Sequence, residues 1–104
     1  MAHVGNVYTS AAWLVKAGNE EDFVLAWESF AQWCMKHGWG AEPPLLLRNL
    51  ADRRYFVSFG QWEDRERVEE WRRLPEFQDF LARARELCEE IRPGTFEVAA
   101  HPTP

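Results

Sequence analysis

The residue pattern of this chain predicts an α+β fold, a ferredoxin-like βαββαβ protomer with two helical regions on one face of a four-stranded antiparallel sheet. Two observations carry the helices: apolar residues recur at helical spacing around Phe23–Cys34 and again around Phe77–Ile91. A third carries the sheet. Four short apolar-rich stretches flank those segments, the first of them rich in β-branched and aromatic residues, each bounded by Gly, Pro, Asn or Asp. The 104 residues leave room for one core. A single domain over 1–104 is expected, with its core at about 7–100 and loose tails at 1–6 and 101–104.

Each element has a local cause. The first strand, Val7 to Lys16, ends at the turn residues Ala17-Gly18-Asn19. Asn19 suits an N-cap, and Glu20, Glu21 and Asp22 place negative charge on the first turn of the next helix. That helix should run to about His37, because Phe23, Trp27, Phe30 and Cys34 share one face and Gly38 and Gly40 then interrupt it. Pro43-Pro44 opens a second strand, Leu45 to Leu50, and a turn around Asp52 leads into a third, Arg54 to Trp62. The acidic pair Glu63-Asp64 suits a helix start. The second helical region is expected from about Asp64 to Ile91, with a restart at Pro75, where no intrahelical N–H is needed. Phe77, Leu81, Ala84, Cys88 and Ile91 fit one face of it. Pro93-Gly94 should turn the chain into a last strand, Thr95 to Ala100.

Two helical regions cover only one face of such a sheet, and a solvated second face would show alternation of apolar and polar residues. These strands do not alternate. Tyr55, Val57 and Phe59 point one way while Phe56, Gly60 and Trp62 point the other, and the first two strands show the same doubling. A second copy of the sheet is the economical cover, so a homodimer is expected.

Charge and cysteine usage exclude several classes. A net charge of −5 argues against a nucleic-acid partner. The arginines of 65–73 alternate with Glu66, Glu69 and Glu70 and read as a solvated helix face. Cys34 and Cys88 are too few and too far apart for a disulfide framework or a zinc site, and they read as buried thiols in a reducing compartment. Met1-Ala2-His3-Val4-Gly5 shows no signal-peptide pattern, and no apolar run approaches the roughly 20 residues of a membrane span. A cytoplasmic protein with no membrane partner, no metal and no bound cofactor is expected.

The richest stretch is Ser58-Phe59-Gly60-Gln61-Trp62-Glu63-Asp64, followed by Trp71. It sets two large aromatics beside one sheet. Strand parity puts Trp13 beside Ala11 and Ser58 beside Trp62, so a cleft lined by Trp62, Trp71, Trp13 and Ser58 is expected between helices and sheet. For any single tryptophan, core packing competes with a ligand role, and Val68 and Trp71 share the inward face of their helix. Arg48 and Asn49 point to opposite sides of the second strand. Asn49 is the candidate to orient a substrate carbonyl, and Arg48 to pair with an acid or serve the dimer. His37 suits the C-terminal end of the first helix dipole, the competing role being a base at the cleft mouth.

The chain resembles the antibiotic biosynthesis monooxygenase family, whose members are dimeric α/β barrels of ferredoxin-like protomers. The residues that carry the resemblance are Val15-Lys16-Ala17-Gly18 before the acidic helix start, Phe23, Gln61-Trp62-Glu63-Asp64 and Pro75-Glu76-Phe77. The family's tryptophan-acid-serine signature reads Trp62-Glu63-Asp64 here. In the haem-degrading branch the working Asn, Trp and His correspond to Ala11, Trp71 and Leu81, which leaves no axial ligand for haem iron. In the quinone-forming branch the cleft Trp corresponds to Trp62, while its Asn, Tyr and Arg correspond to Ser58, Val68 and Leu81. The resemblance thus implies a cofactor-independent monooxygenase acting with O2 on a small aromatic, phenolic or quinol substrate. The catalytic base is unassigned. The alternative is a homodimeric binding protein for a small aromatic molecule that has lost the family's catalytic residues.

Overall fold

Seven elements follow one another in residues 5–104, the part of the chain that the structure, a computed structural model, describes. They are β1 (Val7–Val15), α1 (Glu20–Lys36), β2 (Leu45–Arg48), β3 (Tyr55–Trp62), α2 (Arg65–Arg72), α3 (Pro75–Leu87) and β4 (Cys88–Glu97). The sheet is antiparallel throughout, in the order β2-β3-β1-β4, and the three helices make this the expected α+β ferredoxin-like fold.

Helix starts follow the local chemistry in different ways. Asp64 caps α2, its Oδ1 accepting from the Arg67 N–H at 2.8 Å. Pro75 takes the first position of α3. Asn19 occupies the N-cap of α1 but its side chain makes no capping hydrogen bond, so the three acids of the first turn carry the stabilisation there. Gly18 precedes it at φ +92°, a left-handed conformation that glycine adopts without steric cost.

Sheet registry decides what faces the helices. Ala11 lies opposite Ser58 and Pro93, and Trp13 opposite Phe56 and Ile91. On that inner face Trp13, Val15, Phe23, Phe56, Ala84, Leu87 and Cys88 form one buried cluster. Phe23 sits at its centre, with ring centroids 5.2 Å from both Trp13 and Phe56.

Apart from shifts of one residue, the boundaries differ from the sequence expectation around β4 and at the end of β2. α3 stops at Leu87 rather than Ile91, and the chain turns directly into β4. The helical spacing of Cys88 and Ile91 mimics a continued helix, but pairing with β1 claims both residues: Val15 pairs with Cys88 and Trp13 with Ile91. Leu14 already pairs with Glu90, so Glu89 is the extra residue of a β-bulge. Pro93-Gly94 lies inside β4 rather than before it, and the strand ends at Glu97 rather than Ala100. β4 is an edge strand, where a missing N–H can be tolerated. Finally, β2 ends at Arg48, because Asn49 turns the chain, and Leu50 lies outside the strand in water.

Gly5 and Asn6, expected in a loose tail, bracket Val98: the Gly5 N–H donates to Val98 O at 2.9 Å and the Val98 N–H to Asn6 O at 2.8 Å. The rest of that expected tail, residues 1–4, lies outside the described residues. Among the described residues no helix is long and apolar enough to cross a membrane.

Burial raises the Cys88 thiol from an ordinary 9.0 to about 11, the nearby Lys16 ammonium opposing the shift. A folded-state pKa above the unfolded one means the folded chain holds the proton longer as pH rises. The contribution is therefore fully present below about 9 and lost towards 11. A urea midpoint that falls over this window in the parent, and falls less in Cys88→Ala, is the expected result.

Candidate functional site

On the inner face, Ala11, Ser58 and Gly60 are small residues flanked by Trp13 and Trp62. The helices cannot close on so uneven a floor, and a cavity of about 340 Å3 remains between them and the sheet. That volume falls in the range of roughly 300–1,000 Å3 typical of small-molecule sites. Trp27, Phe30 and Cys34 of α1, Trp71 of α2, and Phe77, Phe80 and Leu81 of α3 form its helical wall. The segment from Trp39 to Pro44 closes one side. Gly60 permits this approach, since a Cβ there would lie 3.2 Å from the Pro44 Cβ.

The rings are held by contacts with one another. Trp62 and Trp71 are 4.8 Å apart at an interplanar angle of 50°, and Phe77 meets Trp71 at 4.6 Å and 61°. Phe30 stacks on Phe80 at 4.8 Å. Three tryptophans of the site also spend their N–H. Trp13 Nε1 donates to Ser58 Oγ at 3.0 Å, Trp62 Nε1 to Thr9 Oγ1 at 2.9 Å, and Trp71 Nε1 to Cys34 Sγ at 3.3 Å. Ser58 and Thr9 act as acceptors in these bonds, which leaves each hydroxyl hydrogen available to a ligand oxygen. Burial raises the Cys34 thiol, against the lowering effect of the Trp71 hydrogen bond, so this sulfur is a wall rather than a nucleophile.

Trp13, Ser58, Trp62 and Trp71 therefore share one cavity. Asn49 does not reach it. Its Oδ1 accepts from the N–H groups of Ala51 and Asp52 at 2.8 and 3.0 Å, which shapes the exposed turn between β2 and β3. Arg48 faces the helices, bonding Glu21 at 3.4 Å and covering the Phe56 ring at 4.9 Å. His37 bonds the Trp33 carbonyl through Nδ1 at 2.8 Å and stacks on the Trp33 ring, as suits a helix end. Of the positions matched to the family's branches, Ala11 and Leu81 line the cavity, and Val68 is buried beneath α2. No group of three or more His, Cys, Asp or Glu among the described residues is placed to hold a metal ion.

Sequence reasoning missed several residues of this site. Thr9 shares the parity of Ala11 and Trp13, a signal that was present. Trp27 and Phe30 lie on the helix face that read only as packing. Arg67 carried no signal. It belongs to an alternating charged run, yet it lies 3.6 Å over the Trp39 ring and its Nη2 donates to Gly38 O at 3.2 Å, fastening the closing segment.

Fold and cavity define an α+β protein with a partly open, largely apolar, aromatic-lined space between sheet and helices. The family model for antibiotic biosynthesis monooxygenase matches residues 7–83, and the chain belongs to that family. A comparison with curated proteins returns no match. Among solved structures, a mutant of SnoaB from Streptomyces nogalater, described as a cofactor-independent oxygenase, matches with a TM-score of 0.83 and 18% identity. The match covers 93% of this chain and 96% of that one. A conserved protein from Methanosarcina mazei has a TM-score of 0.82 at 14% identity over 91% of this chain and 94% of its own. A Pseudomonas aeruginosa protein has a TM-score of 0.78 at 15% identity over 95% and 100%. At such identities the likeness is one of fold.

Proposed function

We propose that this chain is a cofactor-independent monooxygenase that oxidises a small aromatic, phenolic or quinol substrate with O2 inside the cavity. The observation that carries the reading is the apolar aromatic enclosure with two hydroxyls, Ser58 and Thr9, each already holding an indole N–H. An electron-rich ring held there is removed from water and has two donors for its oxygen atoms. Trp62 and Trp71 hold the ring, and Ser58 orients an oxygen.

The chemistry balances without an external reductant. An activated ring CH2 loses a proton, and the resulting carbanion gives its electrons to O2, forming a C–O bond. The hydroperoxide loses water to leave a carbonyl, so one oxygen atom enters the substrate and the other leaves as water. The substrate supplies all four electrons. The protein's part is shape, desolvation and orientation.

Oxygen uptake with anthrones, naphthols and quinols tests the reading. Uptake well above the buffer rate, lost in the Trp62→Ala, Ser58→Ala double variant, is expected. Ligands that quench tryptophan fluorescence but are never oxidised would instead favour a binding protein. That second reading draws on Ser58, Val68 and Leu81, which stand where the quinone-forming branch has its Asn, Tyr and Arg.

We also propose a homodimer built through the outer sheet face. There Leu45, Leu47 and Phe96 are 53%, 50% and 56% exposed, beside Tyr8, Ala12, Leu14 and Phe59. A bare apolar sheet face is a poor surface for water and a good one for its own copy. Sedimentation at micromolar concentration should give twice the chain mass, and Leu47→Lys should shift it towards the monomer. A stable parent monomer would sink the dimer.

A further inference from the structure

Among the described residues, the wall of the apolar cavity holds one half-buried cation. Arg72 ends α2 and lines the space. Arg48, Arg54, Arg65, Arg67, Arg83 and Arg92 each pair with a glutamate. Arg53, Arg73 and Arg85 have no such pairing, and they are exposed to water. Arg72 combines partial burial with no ion pair, ring contact or side-chain hydrogen bond among the described residues. Its backbone carbonyl is occupied, accepting from Gln78 Nε2 at 2.8 Å, but its guanidinium is not. Glu69, whose charge acts on it, is ion-paired with Arg65 at 3.7 Å. Burial lowers the Arg72 pKa, with Glu69 opposing, and the guanidinium nevertheless stays charged.

A partly desolvated cation beside apolar rings is costly without a counter-charge. Its planar fork of donors matches an ionised oxygen better than any neutral group. The other charged lining residue, Glu42, is exposed.

We propose that the cavity takes an aromatic anion whose ionised oxygen, carboxylate or phenolate, is bound by Arg72 while its rings lie against Trp62 and Trp71. The proposal rests on the functional reading above only in taking this cavity as the substrate's place. Arg72 is then the specificity determinant: a neutral ring of the same shape fills the space and leaves the cation unpaired. For a phenolic substrate the same contact favours the deprotonated form.

Calorimetric titration of the full chain with three ligands tests this. They are 2-naphthoate, an electron-poor naphthol ionised at the assay pH, and the neutral 2-acetylnaphthalene. The parent should bind at least one anion about tenfold more tightly than the ketone. Arg72→Met should abolish that preference while holding ketone affinity within about twofold, and Arg72→Lys should restore part of it. A preference confined to naphthoate assigns a carboxylate, and one confined to the naphthol assigns a phenolate. Equal binding of anions and ketone, a preference that survives Arg72→Met, or no binding of any of the three would each overturn the proposal. Urea melts show that the variants fold. Oxygen consumption is not read in this experiment, so the two readings fail separately: an anion preference here with no uptake in the oxygen assay supports Arg72 binding and counts against the enzyme.

Discussion

Phe23→Ala is expected to lower folding stability by about 3–5 kcal/mol, the range for truncating a buried aromatic. Phe23 is fully buried at the meeting point of α1, β1 and β3, and its ring touches Trp13 and Phe56, so its loss leaves a cavity bounded by rigid rings. A domain of this size holds roughly 5–15 kcal/mol in all, so the variant should be marginal at room temperature. Urea denaturation checks it. The midpoint should fall by more than about 1 M, with the slope unchanged. Phe23→Leu, which keeps most of the volume, should fall much less. A shift for Phe23→Ala that matches the leucine variant would mean that the ring contacts carry little.

The second large effect is expected on turnover. Trp62→Ala should reduce oxygen uptake by about a hundredfold, because displacing a held ring by an ångström is enough for such a loss. The indole does two things that can be separated. It stacks beside Trp71, and its Nε1 donates to Thr9. Trp62→Phe keeps a ring and removes the donor, so it should retain more activity than Trp62→Ala while freeing the Thr9 hydroxyl to rotate. Stopped oxygen-electrode rates with the best substrate, alongside urea melts of both variants, make the comparison. If both variants oxidise at the parent rate, Trp62 does not position the substrate and the cavity reading fails at its centre.

Much of the architecture was legible because it depends on periodicity. The face shared by Phe23, Trp27, Phe30 and Cys34 specifies α1, and the parity of Ala11 with Trp13 and of Ser58 with Trp62 specifies the inner sheet face. Those parities are local geometry, so they also brought together the four cavity residues Trp13, Ser58, Trp62 and Trp71. Where two periods overlap, locality was not enough. Cys88 and Ile91 fit a continuing helix, and pairing with β1 decided in favour of a strand.

Asn49 marks a second limit. Its amide suits a substrate carbonyl or a turn equally well, and the choice fell to the Ala51 and Asp52 N–H groups that the hairpin brings within reach. Arg72 and Arg67 mark a third. In the sequence they are neighbours in one charged run, yet folding leaves one unpaired at the cavity and sets the other over Trp39. By itself, then, the sequence determined the order of elements, the faces of its strands and helices, and the family. The cavity's shape, the partners of its hydroxyls and, among the described residues, the half-buried and unpaired state of Arg72 were decided only by tertiary structure, because each depends on groups distant in the chain meeting at a distance that no spacing encodes.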